Sequence, residues 1–417
     1  MKKNIIATIL TGIITSFFVI IYALLTKGLQ FILFLGNSLD TIDNLPWWYL
    51  YLVPFISILI VNYIISKNEK VKEYGVLEIA NAIENNKISY SIKDLILKIF
   101  ASSLSLASGF AVGNEGPSAA IGAIVANKIH SFFQLPKELL KVMLSVGASS
   151  GIAAIFVSPI TAIMFAIENI AYEFVKNFAG YLILGSIVSF SIAYHFLDSL
   201  IFNYSIGKFI EYKYIFATFL FIPVITFFIY FYLGMKDKVL KIVNTKILDK
   251  FQTYRNWIFA FIGGGVIGTI MLISPYAVFS GHELVKILIN DSTHFPLFMI
   301  FVLIVLRIIA TTISIYANAV GGIFIALMSI GALVGYGFSE VLINLGLHIE
   351  PFYFAAIGAA VFVGVNMKLP LTAIVMALEI TYDYNVIIPT GFSVVIVTYL
   401  VSLNFELKKL KFLKYRK

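Results

Sequence analysis

The chain has 417 residues, of which 60% are hydrophobic, 15% aromatic and 12% charged, and its 30 Lys+Arg outweigh 22 Asp+Glu for a formal charge of +8. A soluble domain is about a quarter charged; with a mean hydropathy of +0.95, this chain has too few polar side chains to cover a globule in water, and its solvent is lipid. The absence of cysteine excludes a disulfide framework, thiolate ligands and a thiolate nucleophile.

Residues 5–25 and 46–66 are apolar runs of about 20 residues, enough to cross the hydrocarbon core as helices. Lys2 and Lys3 precede the first run, but it lacks a small-residue cleavage site and is expected to stay as a mature helix. Residues 95–112, 118–133, 139–157 and 159–167 are shorter and interrupted by Gly and Pro. Runs 214–234 and 257–279 are long again, and residues 298–403 return to short pieces. Short, broken helices lining an interior are the mark of a transporter.

Lysines from Lys67 to Lys98, the cluster from Lys236 to Arg255, and the tail from Lys408 to Lys417 belong in the cytoplasm by the positive-inside rule. Charge-poor stretches 27–45, 198–213 and 280–297 belong outside. The expected placement is the inner membrane, multi-pass, with both termini cytoplasmic. Because the positive excess sits in these short connections, it gives no argument for nucleic acid. His130, His195, His282, His294 and His348 are scattered without a His-Glu-x-x-His pair, so neither a metal site nor a cofactor is expected.

An internal repeat runs through this layout. Lys98 over Arg307 sets an offset of 209 that also aligns Ser105 with Ser314, Gly113 with Gly322, and Ile121-Gly122-Ala123 with Ile330-Gly331-Ala332. Further on the offset becomes 211, and PITAIMFAIE from Pro159 lies on PLTAIVMALE from Pro370 with six of ten positions identical. The first copy follows a cytoplasmic connection and the second an external one, so the copies cross the bilayer in opposite senses. Such inverted repeats bring broken helices together at one midplane site. Lys98 and Arg307 are expected to anchor helices near the two membrane faces, and Glu168 and Glu379 to cap or pair helix ends.

Each copy contains a Gly-rich break: Gly113-Asn114-Glu115-Gly116-Pro117 before a helix expected from Ser118, and Gly321-Gly322-Ile323-Phe324 before a helix expected from Ile325. A helix start leaves backbone N–H groups unpaired and carries partial positive charge. Two starts facing each other attract an anion without a full cation that would hold it too tightly for passage. Gly and Pro at these places also suit plain helix ends and close packing. Glu115 argues for the site, because a carboxylate deep in apolar sequence costs roughly 3 kcal/mol or more unless it is protonated, paired or solvated. A carboxylate at a helix start is a tethered competitor for the anion and leaves when a proton neutralises it. A Glu capping a helix in a water-filled vestibule is the alternative.

With GNEGPSAAIG from Gly113, GGIF from Gly321, FVSPITAIMFAIEN from Phe156 and IVMALEITYDYNVIIP from Ile374, the sequence resembles the CLC family of chloride channels and proton-coupled anion antiporters, in order over nearly the whole chain. The resemblance implies an all-α polytopic membrane protein of two inverted-topology halves with many tilted and broken helices. One transmembrane domain would span 1–417, with a first half of about 1–205, a second of about 206–404 and a short cytoplasmic helix at 405–417. It also implies a homodimer in the bilayer that moves chloride or a similar monovalent anion, with Glu115 as gate and proton-transfer residue. Anion binding would fall to Gly113, Asn114, Glu115, Gly116, Pro117, Gly322, Ile323, Phe324 and Ile325. Relatives' paired cytoplasmic CBS domains have no counterpart here, so no nucleotide regulation is expected.

Departures from the family pattern bear on mechanism. Tyr74 stands where the family's serine would donate to the central anion, Ala326 replaces an expected proline, and the family's last-helix tyrosine falls at Phe405, or on a shifted alignment at Tyr399. Asn169 replaces the internal proton-accepting acid of many exchangers. Proton-coupled exchange and passive, voltage- or pH-gated chloride conduction therefore both stand, with the retained Glu115 favouring exchange; a fluoride/proton antiporter is a third reading. An intramembrane enzyme lacks an aligned nucleophile, metal site or acid and base pair.

Overall fold

The computed structural model describes residues 2–36, 39–72, 91–171, 175–198, 212–243, 254–289 and 295–414, with the backbone alone for 40, 170, 171, 175–177, 289 and 404–414. Among them the regular structure is helical, apart from one isolated bridge between Gly113 and Gly322. The first half supplies α1 Lys2–Phe34, α2 Trp47–Lys67, α3 Ile92–Ala107, α4 Glu115–Phe132, α5 Leu140–Phe156, α6 Pro159–Ala166 and α7 Val175–Ala193. The second supplies α8 Tyr212–Val243, α9 Arg255–Ile273, α10 His282–Ile289, α11 Leu297–Tyr316, α12 Phe324–Asn344, α13 Pro351–Met367, α14 Pro370–Thr381 and α15 Ile387–Lys414. Eight described segments are long and apolar enough to cross a membrane.

Side chains are sorted for lipid rather than water. On α1, Ile6, Ile13, Phe17, Ile21 and Leu24 are exposed, while Thr8, Thr11, Thr15, Ser16 and Tyr22 are buried. Hydrocarbon gives no drive to bury apolar groups, so interiors take small and hydroxyl residues that pack closely and bond backbone. Ser16 accordingly donates to Ser189 O on α7 at 3.0 Å, and Thr11 to Ala7 O at 2.8 Å.

The chain forms two compact units: Met1–Leu200, Val239–Leu284 and Val305–Ala326 make one, and Ile201–Lys238, Val285–Ile304 and Leu327–Lys417 the other. Inside the first, α4 and α5 touch backbone to backbone, since a Cβ on Gly122 would strike Gly147 O and one on Gly147 would strike Gly122 O. Inside the second, Gly331 of α12 and Gly358 of α13 stand in the same reciprocal relation. The repeat aligned from sequence therefore carries the same crossing of helices in each copy. Backbone conformation repeats too. Gly109 and Asn318 share positive φ of 103° and 64° after α3 and α11, and Val157 and Lys368 share 51° and 60° after α5 and α13. A β-branched residue such as Val157 adopts this left-handed region only against strain.

Candidate functional site

The two breaks are cross-braced by a reciprocal set of hydrogen bonds. Gly113 N donates to Gly322 O and Gly322 N to Gly113 O, both at 2.7 Å. Ala111 N donates to Ser314 Oγ at 2.9 Å, and Val320 N to Ser105 Oγ at 3.0 Å. Each serine belongs to the helix leading into the other copy's break. Every bond has its mate at the repeat offset, so the breaks are related by a local two-fold through the Gly113–Gly322 bridge. Sequence alignment paired Ser105 with Ser314 without assigning them a task; their identity at equivalent positions beside apolar neighbours was the available signal.

α4 begins at Glu115 and α12 at Phe324, equivalent positions on either side of that axis. Both starts are earlier than the sequence indicated: α4 opens three residues before Ser118, with Glu115, Gly116 and Pro117 inside its first turn. Pro117 is third in the helix, where its missing N–H still costs no intrahelical bond. Glu115 is 2% exposed, and its Oε1 accepts from Phe324 N at 2.6 Å. Its Oε2 is buried without a hydrogen-bond partner. The carboxyl lies against the α-carbons of Gly113 and Gly322, and a Cβ at either would collide with it. These glycines are thus required by the seat of the Glu115 carboxyl rather than by φ.

Chemically, the carboxylate oxygen on Phe324 N–H stands in for a small anion. The start of α12 offers partial positive charge and backbone donors. The Phe324 ring is packed by Phe156 at 4.7 Å and Phe165 at 5.8 Å between centroids, which fixes the residue that carries the donor.

Next to the break, at Asn114, is a cavity of about 240 Å³ lined also by Thr26, Lys27, Gln30, Leu106, Asp198, Ser280, His282 and Glu283 among others. Much of its lining comes from the charge-poor segments that the positive-inside rule assigns to the exterior. Lys27 Nζ pairs with Asp198 Oδ2 at 3.0 Å near its rim. Asn114 Oδ1 is buried without a hydrogen-bond partner. Arg307, fully buried, donates from Nη1 to Val278 O and Phe279 O at 2.7 Å and to Ala277 O at 3.3 Å, fixing the backbone of the cavity wall. Lys98 is 2% exposed. Both cations are thus enclosed in protein, the guanidinium solvated locally by carbonyl oxygens.

Of the residues singled out from sequence, the structure gathers Gly113, Glu115, Gly322 and Phe324 at one point, with Asn114, Gly116 and Pro117 in the adjoining turn and Ile323 and Ile325 flanking Phe324. Asn169 is half-buried in a π-helical turn, Ile167–Ala171, beyond α6. Tyr74 lies outside the described residues, and Phe405 is placed only by its backbone in α15. No group of His, Asp or Glu that could hold a metal occurs among the described residues. Tyr22, whose phenol oxygen is 2.7 Å from Ser102 Oγ, went unnoticed in the sequence because α1 reads there as uniform apolar span.

The family model described as voltage gated chloride channel matches residues 52–402. The H(+)/Cl(-) exchange transporter ClcA of Klebsiella pneumoniae (strain 342) is 26% identical over 329 residues, covering 76% of this chain and 67% of the relative. The protein of that name from Salmonella arizonae is 26% identical over 331 residues with the same coverage. Among solved structures, a slow cyanobacterial Cl-/H+ antiporter superposes with a TM-score of 0.80 at 20% identity, over 95% of this chain and 93% of that one. A CLC-type fluoride/proton antiporter superposes with a TM-score of 0.69 at 19% identity, over 96% and 94%.

Proposed function

Since the chain belongs to the voltage gated chloride channel family, we propose that it exchanges chloride or a similar monovalent anion for protons across the inner membrane, with Glu115 as gate and proton carrier. The observation that carries this reading is the Glu115 carboxyl seated on Phe324 N–H between two braced helix starts. An anion and the carboxylate compete for the same donors, so each excludes the other while Glu115 is charged. Protonation removes the charge and with it the competition, the anion enters, and the neutral side chain is free to carry its proton away. Gly113, Asn114, Gly116, Pro117, Gly322, Ile323 and Ile325 shape the backbone cradle; Tyr74 and Phe405 would bear on the inner anion position. The names of the relatives, H(+)/Cl(-) exchange transporters, favour coupling.

A homodimer of single transmembrane domains, halves 1–205 and 206–404, with cytoplasmic termini, completes the proposal, as supported by the repeat and the lysine-rich connections. A second reading, passive anion conduction, rests on Asn169, which cannot titrate where many exchangers have an acid. Reconstituted liposomes monitored with chloride and pH electrodes separate the two. An imposed chloride gradient drives protons uphill in an exchanger, whereas brisk chloride flux without proton movement leaves only conduction. Fluoride added as competitor in the same vesicles identifies the preferred ion.

A further inference from the structure

From the cavity wall inward along α1, two successive hydroxyl rungs join α1 to α3. At the cavity wall, Thr26 donates to Ser103 Oγ at 3.0 Å. One turn back along α1, the fully buried Tyr22 meets Ser102 at 2.7 Å, one helical turn from the cavity wall that Thr26 shares with Asn114, the residue before Glu115. A phenol has one donor and two acceptor lone pairs, so a single bond to Ser102 does not exhaust it. Glu115 Oε2 is likewise buried with no partner. An anion that takes Phe324 N–H away from Oε1 leaves the carboxyl without any donor beyond its own residue, in an interior where an unmade hydrogen bond is costly.

We propose that the Tyr22–Ser102 hydroxyl pair is the outer station of the Glu115 carboxyl, receiving it whenever an anion holds the Phe324 amide. A hydroxyl suits this task better than a cation does. It donates to the carboxylate and accepts from the carboxylic acid, so the station holds both protonation states and leaves the proton exchangeable. By stabilising the displaced gate, the pair raises the site's affinity for the anion although neither residue touches it. Tyr22 and Ser102 are therefore positioning residues, and the inference rests on the exchange reading above.

Calorimetric titration of chloride into purified full-length protein tests it, using Tyr22→Phe and Ser102→Ala, each made in the native background and in Glu115→Ala. With Glu115 present, Tyr22→Phe weakens chloride binding roughly fivefold to tenfold, the worth of one hydrogen bond, and Ser102→Ala weakens it less. In Glu115→Ala neither change has any effect, since no carboxyl needs a station. Equal losses in both backgrounds mean a packing role and overturn the proposal, as does unchanged affinity in the native background. Ser102→Ala keeps the test open if Tyr22→Phe fails to fold. Unmodified protein that binds no chloride rejects the transport reading itself, a result visible before any variant is made.

Discussion

The two breaks are built alike and used differently. Their backbones exchange the same hydrogen bonds across the Gly113–Gly322 bridge, yet position 115 carries a carboxyl where its mate, position 324, carries a phenyl ring. In the proposed function, symmetry supplies a cradle with donors from both helix starts, and the single acid makes it conditional on a proton. Two acids at these places would repel across the axis, and two rings would leave a permanently open cradle.

Glu115→Gln removes that asymmetry at the least cost in shape and has the largest expected effect. Chloride still passes, but uphill proton movement in liposomes falls at least about a hundredfold, the usual minimum for deleting a proton-transfer group. Unaltered coupling in this variant would sink the assignment of Glu115.

The cradle's symmetry is challenged next by Gly113→Ala and Gly322→Ala. Each adds a Cβ where the carboxyl now sits, and the displaced hydrogen bond to a charged group is worth about 1.5–3 kcal/mol. Both variants should lower the proton-to-chloride ratio by about tenfold or more, and to similar degrees, because both α-carbons flank one carboxyl. If only one of them changes the ratio, the carboxyl is not shared between the two breaks as the structure has it.

A smaller asymmetry lies where the chain turns after α3 and α11. Gly109 takes its left-handed conformation freely, whereas Asn318 is held in it by the buried Asn62, which accepts from Asn318 Nδ2 at 2.9 Å and donates to Ala317 O at 3.0 Å. Asn62→Leu strands both groups at about 1–3 kcal/mol each and should lower the thermal midpoint in detergent by several degrees. Asn318→Gly copies the first break: the lost hydrogen bond is offset by relief of about 1–2 kcal/mol of left-handed strain, so its midpoint should stay close to that of the parent. A steep fall for Asn318→Gly would mean that the amide, not the conformation, is what this turn requires.

The repeat and both breaks were legible in sequence because rare residues coincide there: Pro159 with Pro370, Glu168 with Glu379, Gly113 with Gly322. Elsewhere the alphabet of a membrane interior conceals function. Helix α4 opens three residues before its expected start because Glu115, Gly116 and Pro117, read as the break itself, form its first turn. Nothing local in the sequence shows that carbonyls some 30 residues away would solvate Arg307. Tyr22 and Ser102 meet across 80 positions of the chain, a distance over which periodicity carries no information.

The start of α3, outside the apolar core, gives the smallest effect and a contrast with the break at its other end. Ser91 and Asp94 form a reciprocal cap, Ser91 N to Asp94 Oδ2 at 2.8 Å and Asp94 N to Ser91 Oγ at 3.2 Å, while Asn68 donates to Asp94 Oδ1 at 2.5 Å. The Ser91 amide above all, with Asn68 and Lys70 assisting, holds the Asp94 carboxyl below its ordinary range. A carboxyl lowered in the folded state stabilises it above the ordinary carboxylate range, and that contribution fades as pH falls through the lowered value. Asp94→Asn should therefore melt a few degrees below the parent at neutral pH, with the gap closing in acid. A gap independent of pH would show that the side chain acts through shape alone.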